Sequence, residues 1–218
     1  ISEPEWMTIA ENIAKTPIND LEATIGLQLA TGHSDNVPPS ALATTAGADP
    51  NVSGCNLLLP LSSNAYSATC QLSGTTGGGD NDKGYYGTGQ TYTGSYSAGG
   101  ANDSQLRTHV LSNGNVIWDI AGNVWEWTDA YVQGPAEKPT PADGTWKEYT
   151  AITDYATLNY ARPQNPSWSS ANGIGLYIGD AGAGARGFLR GGRWADGTIS
   201  GVFALALNNA PSATPAAV

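Results

Sequence analysis

The sequence predicts an α+β fold from three local signals: a capped amphipathic stretch at the N-terminus, an Asn-Gly turn between two β-rich runs near residue 113, and a period-two apolar strand over 202–209. No internal repeat and no linker divides the chain, so it reads as one domain over 1–218. Helices and a loop-rich insert occupy 1–102, and a sheet core with short antiparallel strands and long irregular loops occupies 103–218.

Ser2-Glu3-Pro4-Glu5 has the form of a helix start. Ser2 caps, Pro4 presets φ in the first turn, and Glu5 stands where a capping box needs its acid. Trp6, Ile9, Ala10 and Ile13 follow at i, i+3, i+4, i+7, which makes one apolar stripe on a short helix ending near Lys15, before Pro17. A second N-terminal helix is expected from Asn19, with Leu21 and Ile25 inward. Residues 33–102 read as loop, through Pro38-Pro39, the cysteine loop, and Gly77-Gly78-Gly79-Asp80 running into Gly84-Tyr85-Tyr86-Gly87-Thr88-Gly89. The Gly run lacks the Lys-Ser/Thr and the preceding strand of a phosphate loop. Tyr85, Tyr86, Tyr92 and Tyr96 either pack on the core or offer a stacking surface.

Thr108 to Ser112, Asn113-Gly114 and Asn115 to Trp118 form the expected hairpin, and Val124 to Thr128 a further strand. A Pro-rich arm from Gly134 to Gly144 and a segment bearing Tyr149, Tyr155 and Tyr160 lead to Phe188 through Trp194. In the last strand Phe203, Leu205 and Leu207 alternate with Ala204, Ala206 and Asn208. Ala206 and Asn208 are therefore expected to face away from the apolar layer.

Composition narrows the function. Nine Lys and Arg stand against 19 Asp and Glu, a net charge of −10 that repels phosphate backbones and argues against nucleic acid as a partner. The 28 Gly in 218 residues are nearly twice the usual share of about 7%, while 40% hydrophobic content and seven Trp favour a packed, loop-rich fold over disorder. No apolar run approaches the roughly 20 residues of a membrane span. The chain begins at Ile1 and not at Met, which admits a preceding signal or anchor. Cys55 and Cys70 have no CxxC spacing and no paired histidines, so a zinc site is not expected. They read either as one disulfide, worth roughly 3 kcal/mol and implying an oxidising setting, or as two free thiols.

Catalytic chemistry finds little support. His33 and His109 are the only histidines and neither lies in a nucleophile motif, while Asp80 and Asp82 read as loop acids. A hard cation such as Ca²⁺ is compatible with Asp119-Ile120-Ala121-Gly122-Asn123-Val124-Trp125-Glu126. This turn brings two carboxylates and backbone carbonyls together; the same acids could equally bond the turn amides.

Trp118-Asp119-Ile120-Ala121-Gly122-Asn123-Val124-Trp125-Glu126-Trp127-Thr128-Asp129, followed by Arg190-Gly191-Gly192-Arg193-Trp194, resembles the signature of the formylglycine-generating-enzyme type of C-type lectin fold. Within that fold, Gly197 through Ser212, Glu5 through Ala10, Gly32-His33-Ser34-Asp35 and Gly84 through Gly89 resemble the variable proteins of diversity-generating retroelements. In that group an error-prone reverse transcriptase mutates template adenines, commonly in Asn codons, and the altered copy replaces the 3′ part of the gene. Asn codons mutated at adenine never specify Lys, Glu, Gln, Met or Trp, and residues 195–217 contain none of these.

The resemblance implies a C-terminal variable region over about 188–218. Its ligand-contacting positions would be Arg193, Ala195, Asp196, Ile199, Ala206, Asn208, Ala213, Pro215, Ala216 and Ala217. It also implies a structural Ca²⁺ held by Asp119, Gly122, Val124 and Glu126. Oxidising relatives carry catalytic cysteines just after the Trp of the Arg-Gly-Gly motif, where this chain has Ala195 and Asp196, so the oxidase activity is not carried over. The family usually closes on Gly-Phe-Arg-Cys, whereas this sequence runs to Ala217-Val218. The expected function is non-enzymatic display of a varied surface to an unknown ligand, most simply a protein, on a virion or at a cell surface. The alternatives are a formylglycine-type oxidase relative and a Ca²⁺-dependent sugar-binding lectin.

Overall fold

The structure is a computed structural model that describes residues 1–20, 27–32, 34 and 108–211. Helix α1 spans Glu3–Lys15, and its start follows the expected chemistry: the Glu5 amide donates to Ser2 Oγ at 3.4 Å and the Ser2 amide donates to Glu5 Oε2 at 2.8 Å. Asn19 closes a 3₁₀ turn over Pro17–Asn19. The continuation expected to form a second helix lies outside the described residues, as do His33, the cysteine loop with Cys55 and Cys70, and the Gly- and Tyr-rich tract.

Strands β1 (Thr108–Val110) and β2 (Val116–Trp118) pair antiparallel across Asn113-Gly114, with Gly114 at φ +85°. Strands β3 (Glu126–Val132), β4 (Tyr177–Gly179), β5 (Arg186–Gly191) and β6 (Gly201–Leu207) form a second sheet in the order β3-β5-β6-β4. The strand expected from Val124 begins instead at Glu126, because Gly122 and Asn123 hold φ of +69° and +63° and delay the extended backbone. The expectation of antiparallel strands fails at one place: β4 runs parallel to β6. The chain reverses once from β4 to β5 and again from β5 to β6, and β6 inserts between them. β4 and β6 therefore point the same way.

Alternation along β6 sorts two apolar layers. Phe203, Leu205 and Leu207 meet Trp6, Ala10 and Ile13 of α1 together with Phe188 and Tyr177 in the main core, and Trp6 Nε1 donates to Val202 O at 2.9 Å. On the opposite face Ile178, Leu189 and Ala206 are buried beneath Trp125, Trp127 and Trp146. The fold is thus mixed, with one α-helix and short strands among the described residues. No helix among those residues is long and apolar enough to cross a membrane.

Candidate functional site

Two sequence motifs far apart in the chain meet at the end of the four-stranded sheet. The turn 119–124 carries three left-handed residues, Asp119, Gly122 and Asn123, at φ of 54°, 69° and 63°. The Gly122 amide donates to Gly191 O and the Trp194 amide donates to Asn123 O, each at 3.0 Å, locking the turn to the Arg-Gly-Gly-Arg-Trp segment. Gly192 explains why that segment needs glycine. It sits at φ +88°, and a Cβ there would lie 2.3 Å from Ser200 Oγ and 2.6 Å from Ser200 Cα.

From this joint the loop 193–200 leaves the sheet and returns into β6. Its path is held largely by main-chain bonds: Asp196 N to Arg193 O at 3.1 Å, Gly197 N to Ser34 O at 2.8 Å, and Ile199 N to Asp196 O at 3.1 Å. Ala195 and Ile199 are partly exposed, and their side chains carry no polar group that could hold the loop. Asp196 differs from them. Its carboxylate accepts from the Arg193 amide at 3.0 Å and from Arg193 Nε at 3.1 Å, and its side chain is only 10% exposed against 39% for Arg193. Asp196 is therefore built into the loop.

The structure gathers Arg193, Ala195, Asp196 and Ile199 into this one loop, beside the turn bearing Asp119, Gly122, Val124 and Glu126. Asn208 is exposed but lies past the far end of β6, a strand of seven residues, and so about 20 Å from the loop. Ala206 requires a correction. It does turn away from the main core, as alternation predicts, yet it is only 3% exposed, because three indoles cover that face. Ala213, Pro215, Ala216 and Ala217 lie outside the described residues.

The turn 119–126 carries oxygen donors of the kind a hard cation takes. The Glu126 carboxyl is held above its ordinary pKa first by burial and then by the Asp119 charge. No group of three or more His, Cys, Asp and Glu occurs among the described residues. Oxygens beyond these two carboxylates would have to come from main-chain carbonyls such as those of Gly122 and Val124.

Two features of the sheet have no local signal in the sequence. Trp125 and Trp146 stack at 5.9 Å between centroids and 12° between planes, although no periodicity links them. Arg190, completely buried, ion-pairs with Glu3 and donates to Phe203 O at 3.0 Å and Ala161 O at 2.9 Å, so the Arg of the motif works beneath the sheet and not at its surface. His109, expected to be a structural residue, is buried, and its Nε2 lies 3.2 Å from Ala30 O. No protein-family model matches the chain, and neither a curated protein nor a solved structure matches it.

Proposed function

We propose that this chain is a non-enzymatic ligand-binding display domain with a C-type lectin fold of the formylglycine-generating-enzyme type, akin to the variable proteins of diversity-generating retroelements. The observation that carries the reading is the loop 193–200. Its course depends on main-chain hydrogen bonds, that of the Ile199 amide among them, and on Gly191 and Gly192, while the side chains of Ala195 and Ile199 contribute no hydrogen bond to it. Side chains at those positions can change without redrawing the backbone, and a preformed surface loses little ordering entropy when it binds. Ala195 and Asp196 stand where oxidising relatives carry cysteine, which favours binding over oxidation.

In this reading Arg193, Ala195, Ile199 and Asn208 face the ligand and Asp196 keeps the loop closed. A Ca²⁺ at the 119–126 turn braces the neighbouring backbone, and the ligand is a protein met at a virion or cell surface. The test is a library randomised at Arg193, Ala195, Ile199 and Asn208, selected against a panel of purified proteins. Folded binders of differing sequence are the expected outcome. A library that folds but yields no binder on any panel protein, or that does not fold, counts against the reading.

A further inference from the structure

The chain contains two Asn-Gly pairs, Asn113-Gly114 and Asn172-Gly173, and the fold treats them oppositely. At the tip of the β1–β2 hairpin, Ser112 through Val116 are all exposed. A Cβ on Gly114 would meet no described atom within 4 Å, so the backbone there has room to turn. Asn113 Oδ1 accepts from the Asn115 amide at 3.0 Å, and the Gly114 amide donates to Leu111 O at 2.8 Å. Both bonds lie at an exposed tip beyond strands of three residues, where local opening costs least. Asn172, by contrast, is gripped at both ends of its amide: Nδ2 donates to Leu27 O at 2.7 Å and Oδ1 accepts from the Ser169 amide at 2.9 Å. Gly173 is buried, its amide donates to Ser170 O at 2.9 Å, and a Cβ there would lie 2.0 Å from Leu29 O.

We propose that Asn113 is a site of spontaneous deamidation and that the fold protects Asn172 from the same reaction. When the bond to Leu111 opens, the Gly114 amide gives its proton to a base in solution and its nitrogen attacks Asn113 Cγ. The new N–Cγ bond closes a succinimide ring, the Cγ–Nδ2 bond breaks, and the departing nitrogen takes up a proton and leaves as ammonia. Water then opens the ring. Addition at Cγ gives aspartate, and addition at the main-chain carbonyl gives isoaspartate, with a methylene inserted into the backbone. That longer tip pulls on Ser112, which is tied to α1 by two bonds of 2.8 Å, Asn12 Nδ2 to Ser112 Oγ and Ser112 N to Asn12 Oδ1. Isoaspartate at 113 therefore loosens the hairpin from the helix, whereas aspartate there adds a charge and leaves the backbone as it was.

The experiment keeps the full chain in mildly alkaline buffer, folded in one sample and unfolded in guanidinium chloride in another. Peptide mapping by mass spectrometry then reads the exchange of amide NH₂ for OH at each Asn. In the folded chain residue 113 should convert, chiefly to isoaspartate, while residue 172 stays intact; in guanidinium both should convert at similar rates. Conversion of 172 as fast as 113 in the folded chain would overturn the proposal, and so would an intact 113 in the folded chain when the unfolded chain converts it. The converted chain should also melt below the Asn113→Asp variant, which carries the charge on an ordinary backbone. Equal melts would contradict the loosening of the hairpin. None of these outcomes depends on the display reading.

Discussion

Glu3, in the first turn of α1, and Arg190, in β5, form an ion pair in which the two side chains are 2% and 0% exposed, across 187 positions of sequence. Thr128 Oγ1 donates to Glu3 Oε2 at 2.9 Å, and the Glu3 amide donates to Asp129 Oδ1 at 2.9 Å. The helix start is thereby fastened to β3 and β5 together. Removing one partner leaves the other charge buried without its counter-ion. Glu3→Ala and Arg190→Met should each lower stability by about 3–5 kcal/mol in urea unfolding, and the double variant should recover part of that loss. Additive losses would show that the two charges are not coupled.

His109 makes stability depend on pH. Burial lowers its pKa from 6.5 to about 4 in the folded chain, against a smaller opposing effect of the bond to Ala30. The unfolded state therefore takes up a proton first as pH falls. The contribution is complete above pH 6.5, declines between 6.5 and about 4, and is flat below. It amounts to about 3 kcal/mol. His109→Gln, which keeps an N–H for Ala30 O, should remove this part of the pH profile of unfolding; an unchanged profile would contradict the assignment.

Gly192→Ala should cost at least about 2 kcal/mol, from the left-handed backbone and from crowding of Ser200. Ala195→Ser and Ile199→Thr should stay within about 0.5 kcal/mol, while Asp196→Ala should lose about 1 kcal/mol with its bonds to Arg193. Thermal melts of these variants check the ordering. A loss at Ala195 equal to that at Gly192 would contradict the division between pinned backbone and replaceable side chains.

Calcium should raise the melting temperature and chelation should lower it. Free ion at a hundred times the dissociation constant corresponds to about 2.7 kcal/mol. Asp119→Ala should erase the difference. No shift in a sample verified free of metal would remove the cation from the account.

The elements legible in the sequence are those whose signals are local. Ser2 with Glu5, the stripe from Trp6 to Ile13, and Asn113-Gly114 each specify their element within a few residues, and each is found. Tyr177–Gly179 carries no comparable signal, since three residues show no period and its partner in β6 is reached only after two chain reversals. The error at Ala206 has the same origin. Alternation reports which face a residue takes, and it cannot report that Trp125 and Trp146 close over that face. At the candidate site the tight Gly122-Asn123 turn was legible in the sequence, and both residues take positive φ. The structural duty of Asp196 was not, because its bonds to Arg193 exist only once the loop has turned.

The measurement that bears most directly on the display reading is the DNA around the gene. It predicts a near-copy of the segment encoding residues 188–218, beside a reverse-transcriptase gene, differing at template adenines in the codons of Arg193, Ala195, Ile199 and Asn208 and sparing those of Gly191, Gly192 and Phe203. Absence of such a repeat, or differences spread evenly over loop and core codons, would contradict it.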